Sequence, residues 1–237
     1  MVDLLNCCVY TNLSNKIIPQ RKSLIQNLSS ISNSTYIANG AHGKVFEKKK
    51  LGKHYACKKF LKPSVFKREL KILNKIKNSK RLQKCIYANE KKLCIYNEYI
   101  SGMDMFYFIE KHCLEIGSSK YIFDDIVIKK IGKEILLGLD ELKYFGFVHL
   151  DIKLENLIIN KHLNVKIIDF DTGKHLFKCK SLNKLQKICG THQYVCPEVL
   201  GGFYTETSDI WSLGVILWIL KTGDYPYDNI ELLKEVN

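Results

Sequence analysis

The chain has 237 residues, 46% of them apolar, which suffices to bury a sizeable core in one large or two small folding units and sets it apart from disordered or fibrous chains. Its 37 Lys and Arg against 24 Asp and Glu give a net charge of +13, a field that favours acidic partners such as ATP, acidic peptides or nucleic acid, although an evenly solvated lysine-rich surface is the plainer reading. The 9 cysteines are odd in number and scattered, with no secretory leader ahead of them, which argues against a disulfide framework and for a reducing compartment; the apolar run from Val215 to Leu220 is too short to cross a bilayer.

Residues 1–31 mix Asn, Ser, Lys and short apolar pieces without sustained periodicity and read as an extension of uncertain order. Met1 to Leu5 has no basic n-region, and Val2 excludes the myristoylation pattern, so the expected location is intracellular, cytoplasmic or nuclear. Strand patterns follow at Thr35 to Ala38, Lys44 to Lys48 and Lys53 to Lys58, separated by Asn39-Gly40-Ala41-His42-Gly43 and by Lys49 to Gly52, an antiparallel three-strand order. Gly40 and Gly43 lack a Cβ and so allow backbone amides to approach phosphate oxygens, though glycines serve ordinary turns equally well.

Pro63 opens a helix with apolar positions Leu70, Leu73 and Ile76, and Glu69 borders that face. Another strand is expected from Cys94 to Ile100. After Asp124-Asp125, the residues Ile128, Ile131, Ile135, Leu139 and Leu142 recur at helical spacing and predict a long helix with one buried face. Leu157 to Ile159 and Val165 to Ile168 read as short strands joined by the polar turn Asn160 to Asn164, a hairpin that returns Asp169 beside Asn156. Cys189, His192 and Cys196, with Cys179 upstream, are residue types that suit zinc, but they fall inside a more specific motif described next.

Asp151-Ile152-Lys153-Leu154-Glu155-Asn156, followed by Asp169-Phe170, resembles the catalytic loop and metal-binding turn of the eukaryotic protein kinase family. Tyr55-Ala56-Cys57-Lys58 resembles the strand that carries the ATP-contacting lysine of that family. Glu98-Tyr99-Ile100-Ser101-Gly102-Met103-Asp104-Met105-Phe106 is similar to its hinge, Cys189 to Glu198 to the Gly-Thr-x-x-Tyr-x-Ala-Pro-Glu segment, and Ser208-Asp209-Ile210-Trp211-Ser212-Leu213-Gly214 to the central helix of its large lobe. Lys153 after Asp151 resembles the serine/threonine branch.

The resemblance implies phosphoryl transfer from ATP with Mg2+ as cofactor, through a loose transition state that an enzyme stabilises mainly by positioning and charge neutralisation. Asp151 would orient or deprotonate the attacking hydroxyl, Lys153 steady the γ-phosphate, and Asn156 and Asp169 hold magnesium. The ATP pocket would be formed by Ile37, Ala38, Gly40, Gly43, Val45 and Ala56. Lys58 would meet the α- and β-phosphates and pair with Glu69, Glu98 and Ile100 would offer backbone groups to adenine in front of Asn97, and Asp104 would reach the ribose or start the next helix. Thr191 would lie beside Asp151 and Lys153, Asp209 would brace the catalytic-loop backbone, and Glu198 would be structural.

The expected fold is therefore α+β and bilobal, a β-rich antiparallel N-lobe over residues 32–99 and a mostly helical C-lobe over 100–237 that lacks the family's last helices. Four departures stand out: Ala38 for the first phosphate-loop glycine, Leu150 for the Arg before the catalytic Asp, Asp171 for the Gly after Asp169-Phe170, and an end at Asn237. Asp171 either alters metal affinity or points to solvent. Either the chain is a fragment or short gene product, or another chain covers the helices it would leave exposed, and low stability in isolation is expected. Protein substrates are the expected partners, with no membrane and nucleic acid ranked last; a catalytically inactive kinase-like module is the alternative.

Overall fold

A computed structural model of the chain describes residues 34–227, apart from 41, 51, 116–122, 177–182 and 186–188; the expected N-terminal extension and Cys179 lie outside them. The N-lobe is a five-stranded antiparallel sheet in the order β1 (Ser34–Gly40), β2 (Gly43–Lys50), β3 (Lys53–Phe60), β5 (Cys94–Glu98), β4 (Cys85–Asn89). Between β3 and β4 runs α1 (Pro63–Lys75), which begins at Pro63 and places Phe66, Ile72 and Leu73 against the sheet. The pyrrolidine ring presets the first helical φ and gives up an N–H that would be unpaired there anyway. The sequence expects β5 to run to Ile100; pairing stops at Glu98, because the chain must leave the sheet to reach the second lobe.

That crossing leads through β6 (Met103–Asp104) to α2 (Met105–Glu115) and α3 (Asp125–Tyr144). The periodicity of α3 holds: Ile131, Ile135, Leu139 and Leu142 are buried, with Val127 added, while Ile128 lies at the edge of the face. Fully burying each such side chain contributes roughly 1.5–3 kcal/mol. Gly138 lets α3 approach the sheet, since a Cβ there would stand 2.9 Å from Ile167 Cδ1.

The remaining C-lobe strands are β7 (Phe147–Val148), β8 (Leu157–Ile159), β9 (Val165–Ile167), β10 (Lys174–His175), β11 (Asn183–Lys184) and β12 (Phe203–Tyr204), with α4 (Pro197–Leu200) and α5 (Ser208–Thr222). The expected hairpin is β8 and β9, paired Leu157 to Ile167 through Ile159 to Val165, with β6 alongside. Leu82 bridges in parallel to Ile167, which joins the lobes through backbone bonds from Ile167 N–H to the Arg81 carbonyl and from Gln83 N–H to the Ile167 carbonyl. One core runs through both lobes, from Phe60 and Leu73 to Ile135, Phe170 and Ile216, and a second, smaller cluster gathers Val148, Leu150 and Tyr204. Among the described residues no helix is long and apolar enough to cross a membrane.

Candidate active site

The loop after β7 is fixed from below by α5. Asp209, buried at the first turn of that helix, accepts the N–H groups of His149 at 2.7 Å and Leu150 at 2.8 Å. Burial raises its carboxyl pKa, and the neighbouring His149 and the two N–H donors work against that rise. These bonds hold Leu150 in the left-handed region, φ 64°, a conformation that costs an ordinary L-residue about 1–2 kcal/mol. Gly190 packs on the same turn, where a Cβ would stand 2.5 Å from the Leu150 carbonyl oxygen. His149 Nε2 lies 3.0 Å from the Ile168 carbonyl and its Nδ1 accepts the Asp151 N–H at 3.3 Å, a pairing that assigns the proton to Nε2.

This scaffold gathers four polar side chains. Thr191 donates its hydroxyl to Asp151 Oδ1 at 2.7 Å and accepts from Lys153 Nζ at 2.9 Å, while Lys153 Nζ also lies 3.1 Å from Asp151 Oδ2. Asn156 Nδ2 donates to the Asp151 carbonyl at 2.8 Å and to Asp151 Oδ2 at 3.2 Å. Because its amide nitrogen is used in this way, Asn156 has its oxygen to offer elsewhere. The Asn156 carbonyl accepts the Ile168 N–H at 3.0 Å, so the hairpin brings Asp169 back as the sequence predicts. Asp169 itself is left-handed, φ 66°, and Phe170 behind it is fully buried against the His149 ring, centroids 5.1 Å apart.

A second cluster faces the first from the N-lobe. Lys58 on β3 is buried and its Nζ donates to Glu69 Oε2 at 2.8 Å, Asp169 Oδ1 at 2.5 Å and Asp171 Oδ2 at 3.0 Å. Burial disfavours the ammonium, yet Glu69, Asp169 and Asp171 together outweigh it and hold Lys58 above the ordinary lysine range. Glu69, fully buried, is pushed up to about 8 by desolvation, offset by Lys58 and reinforced by the charges of Asp169 and Asp171. Asp169 is drawn down: burial opposes its charge, but Lys58 beside it dominates.

Around these clusters lie the remaining expected residues. Ile37 falls at a register shift between the Tyr36–Phe46 and Ala38–Val45 pairs of β1 and β2 and is half exposed. Gly40 pairs with Gly43, whose carbonyl oxygen would lie at an ordinary 3.6 Å from a Cβ on Gly40, whereas a Cβ on Gly43 would stand 2.3 Å from the Lys59 carbonyl oxygen. Close approach of β2 to β3 therefore requires Gly43, a reason the sequence reading does not contain. Val45 and Ala56 lie on the sheet, with Ala56 opposite Asn97, whose side chain is buried with Oδ1 unpartnered. The Glu98 N–H is already paired with the Lys84 carbonyl at 2.9 Å, and its carboxylate accepts from Lys84 N–H at 3.0 Å and from Lys166. Ile100 follows the end of β5 and is half-buried. Asp104 Oδ1 accepts the Tyr107 N–H at 2.8 Å, so it caps the start of α2.

Residues 31–236 match the family model described as Protein kinase domain. The chain belongs to the protein kinase family. It is 32% identical over 168 residues to a probable serine/threonine-protein kinase of Dictyostelium discoideum, covering 70% of this chain and 17% of that one. A probable myosin light chain kinase of the same organism is 33% identical over 186 residues, 75% of this chain and 50% of its own. The serine/threonine-protein kinase grp of Drosophila melanogaster is 37% identical over 136 residues, 56% and 25% respectively. This kinase-family chain thus spans half or less of the length of these relatives.

Two departures from the family pattern acquire a physical place. Leu150 is buried in an apolar cluster with Leu185, Val195, Val199 and Tyr204, which replaces a cation by packing against the activation segment. Asp171 neither points to solvent nor stands alone, since it bonds Lys58 and meets His42 Nδ1 at 3.0 Å. Among the described residues the carboxylates of Glu69, Asp169 and Asp171 form the group able to hold a metal, and Cys189, His192 and Cys196 form no such group. Glu198 Oε1 is 3.4 Å from the Ser208 hydroxyl, a structural contact. The sequence gives no role to His149 or His42; the His-x-Asp spacing offered a signal for the first, and nothing local offered one for the second.

Proposed function

We propose that this chain transfers the γ-phosphate of ATP to serine or threonine hydroxyls of protein substrates. The observation that carries the reading is the hydroxyl already seated on the Asp151 carboxylate: Thr191 donates at 2.7 Å with Lys153 on the same hydroxyl oxygen. An acceptor hydroxyl needs the same two partners, a carboxylate to take its proton and a cation beside the oxygen that forms the new bond. Asp151 acts as that base or orienting group, and Lys153 balances charge between the hydroxyl and the incoming phosphoryl. Lys58, charged and held by Glu69, provides the cation for the nucleotide phosphates.

The Asp169 carboxylate and the Asn156 amide oxygen are hard oxygen donors, a set that fits Mg2+, which when bound neutralises phosphate charge. Asn156 also holds the Asp151 backbone, so the same residue serves base geometry and metal binding. The cleft at Ala56, Glu98 and Ile100 is assigned to adenine and Asp104 to the ribose side, with an intracellular setting. A second reading, a kinase-like binding module without turnover, is favoured by one observation: Lys58 directs bonds to three carboxylates of its own chain.

Radiolabelled ATP offered with basic, acidic and Ser/Thr-rich proteins separates the two readings. The proposal expects transfer by the native chain, loss on the order of 10² to 10⁴-fold in Asp151→Ala with ATP binding kept, and loss in Asp169→Asn. ATP binding without transfer in any condition would favour the module.

A further inference from the structure

Position 171 holds an acidic side chain where the family pattern has no side chain at all, and that side chain is 9% exposed. It lies inside the cleft. An ammonium has three N–H donors. At Lys58 three carboxylate oxygens receive them: Glu69 Oε2 at 2.8 Å, Asp169 Oδ1 at 2.5 Å and Asp171 Oδ2 at 3.0 Å. Glu69 accounts for one donor in the proposed chemistry, and the others are those a nucleotide phosphate would need.

The same Asp171 oxygen meets His42 Nδ1 at 3.0 Å, at the tip of the loop between β1 and β2. Leu61 N–H fixes that tip by donating to the His42 carbonyl at 3.1 Å. One carboxylate therefore ties together the lysine assigned to phosphate and the loop assigned to cover it. The Lys58 ammonium and the His42 ring nitrogen both meet the carboxylate of Asp171. A phosphate oxygen approaching Lys58 would stand close to this carboxylate, and like charges at such separations in a buried site repel strongly.

We infer that Asp171 is an internal counter-anion occupying the place of a nucleotide phosphate, so that ATP binds only by displacing it from Lys58 and His42. Asp171 then sets nucleotide affinity without taking part in transfer. This rests on the reading of Lys58 as the phosphate-binding cation. The competing role for the same side chain is a metal ligand: carboxylate oxygens of Glu69, Asp169 and Asp171 lie within 4.8 Å of one another. The roles predict opposite signs, because a competitor weakens nucleotide binding and a ligand strengthens it.

The test is the affinity for ATP and ADP, measured by titration calorimetry with excess Mg2+ and again with EDTA, on the native chain, D171N, D171G and H42A. D171N keeps the side-chain shape and removes the charge; circular dichroism verifies the fold of each variant. The inference expects D171N and D171G to bind ATP on the order of tenfold more tightly in both conditions, the strength of one charged hydrogen bond. H42A tightens binding less, and where turnover is measured KM for ATP falls with little change in kcat.

Unchanged affinity in D171N and D171G, with ATP bound by the native chain, overturns the inference and leaves the kinase reading intact. A loss confined to the Mg2+ arm overturns it in favour of a metal ligand. Should neither the native chain nor any folded variant bind nucleotide at millimolar concentration, both the inference and the reading beneath it fail.

Discussion

Replacing Asp209 tests how the catalytic loop is held. Its carboxylate accepts the N–H groups of His149 and Leu150 at 2.7 and 2.8 Å in a buried setting. In Asp209→Ala both donors lose their partner, and each orphaned buried N–H costs about 1–3 kcal/mol. Against that stands relief of the desolvation that raises the Asp209 pKa, which removes part of the penalty. A net loss of about 2–4 kcal/mol is expected, a large share of the roughly 5–15 kcal/mol typical of a folded domain. Asp209→Asn does not rescue it, since the amide presents one acceptor and turns an NH2 group toward the other backbone N–H.

The two measurements are urea denaturation followed by tryptophan fluorescence, with Trp211 and Trp218 both on α5, and phosphotransfer per folded molecule. Released from its clamp, Leu150 leaves the left-handed region and Asp151 moves with it, so turnover falls further than the folded fraction does. An Asp209→Asn variant within about 0.5 kcal/mol of the native chain and with equal turnover would refute the clamp.

Three further outcomes are expected. Leu150→Ala loses about 2–5 kcal/mol by emptying the cluster with Leu185 and Val199, and Leu150→Arg loses at least as much because it puts a long charged side chain among these apolar ones; thermal melts rank them. Gly43→Ala strains the β2–β3 approach and costs about 1–3 kcal/mol, while Gly40→Ala, whose Cβ would make an ordinary 3.6 Å contact with the Gly43 carbonyl oxygen, changes the midpoint far less. Glu141 is held below its ordinary 4.5: burial pushes it up, but bonds from Ser79 and Arg81 outweigh that. Its folded pKa is therefore the lower one, so the stability it contributes is present above about pH 4.5 and is lost as pH falls through the folded value. Denaturation midpoints against pH should show a shallower acid limb in Glu141→Gln, and an unchanged limb would contradict the assignment.

Much of the site was legible because its residues sit close together in the chain. Asp151, Lys153 and Asn156 lie on one short loop, and the β8–β9 hairpin that returns Asp169 is written in local alternation and a polar turn. The helix α3 follows from period alone, and Pro63 marks the start of α1. Where local pattern met a demand of the whole fold, expectation and outcome diverged. β5 ends at Glu98 because the chain crosses between lobes.

By itself the sequence determined the family, the two-lobed α+β architecture and the order in which Asp151, Lys153, Asn156 and Asp169 follow one another, since each rests on residue type at short spacing. Tertiary structure alone decided what the unusual residues do. Asp171 and Lys58 stand 113 positions apart, and His42 and Asp171 129, so only the closing of the N-lobe sheet over the C-lobe hairpin brings one carboxylate to both. Leu150 likewise acquired its role from Leu185 and Val195, partners that no local pattern names. Charge and apolar surface act through distance in space, and chain spacing reports that distance only within a turn, a helix or a hairpin.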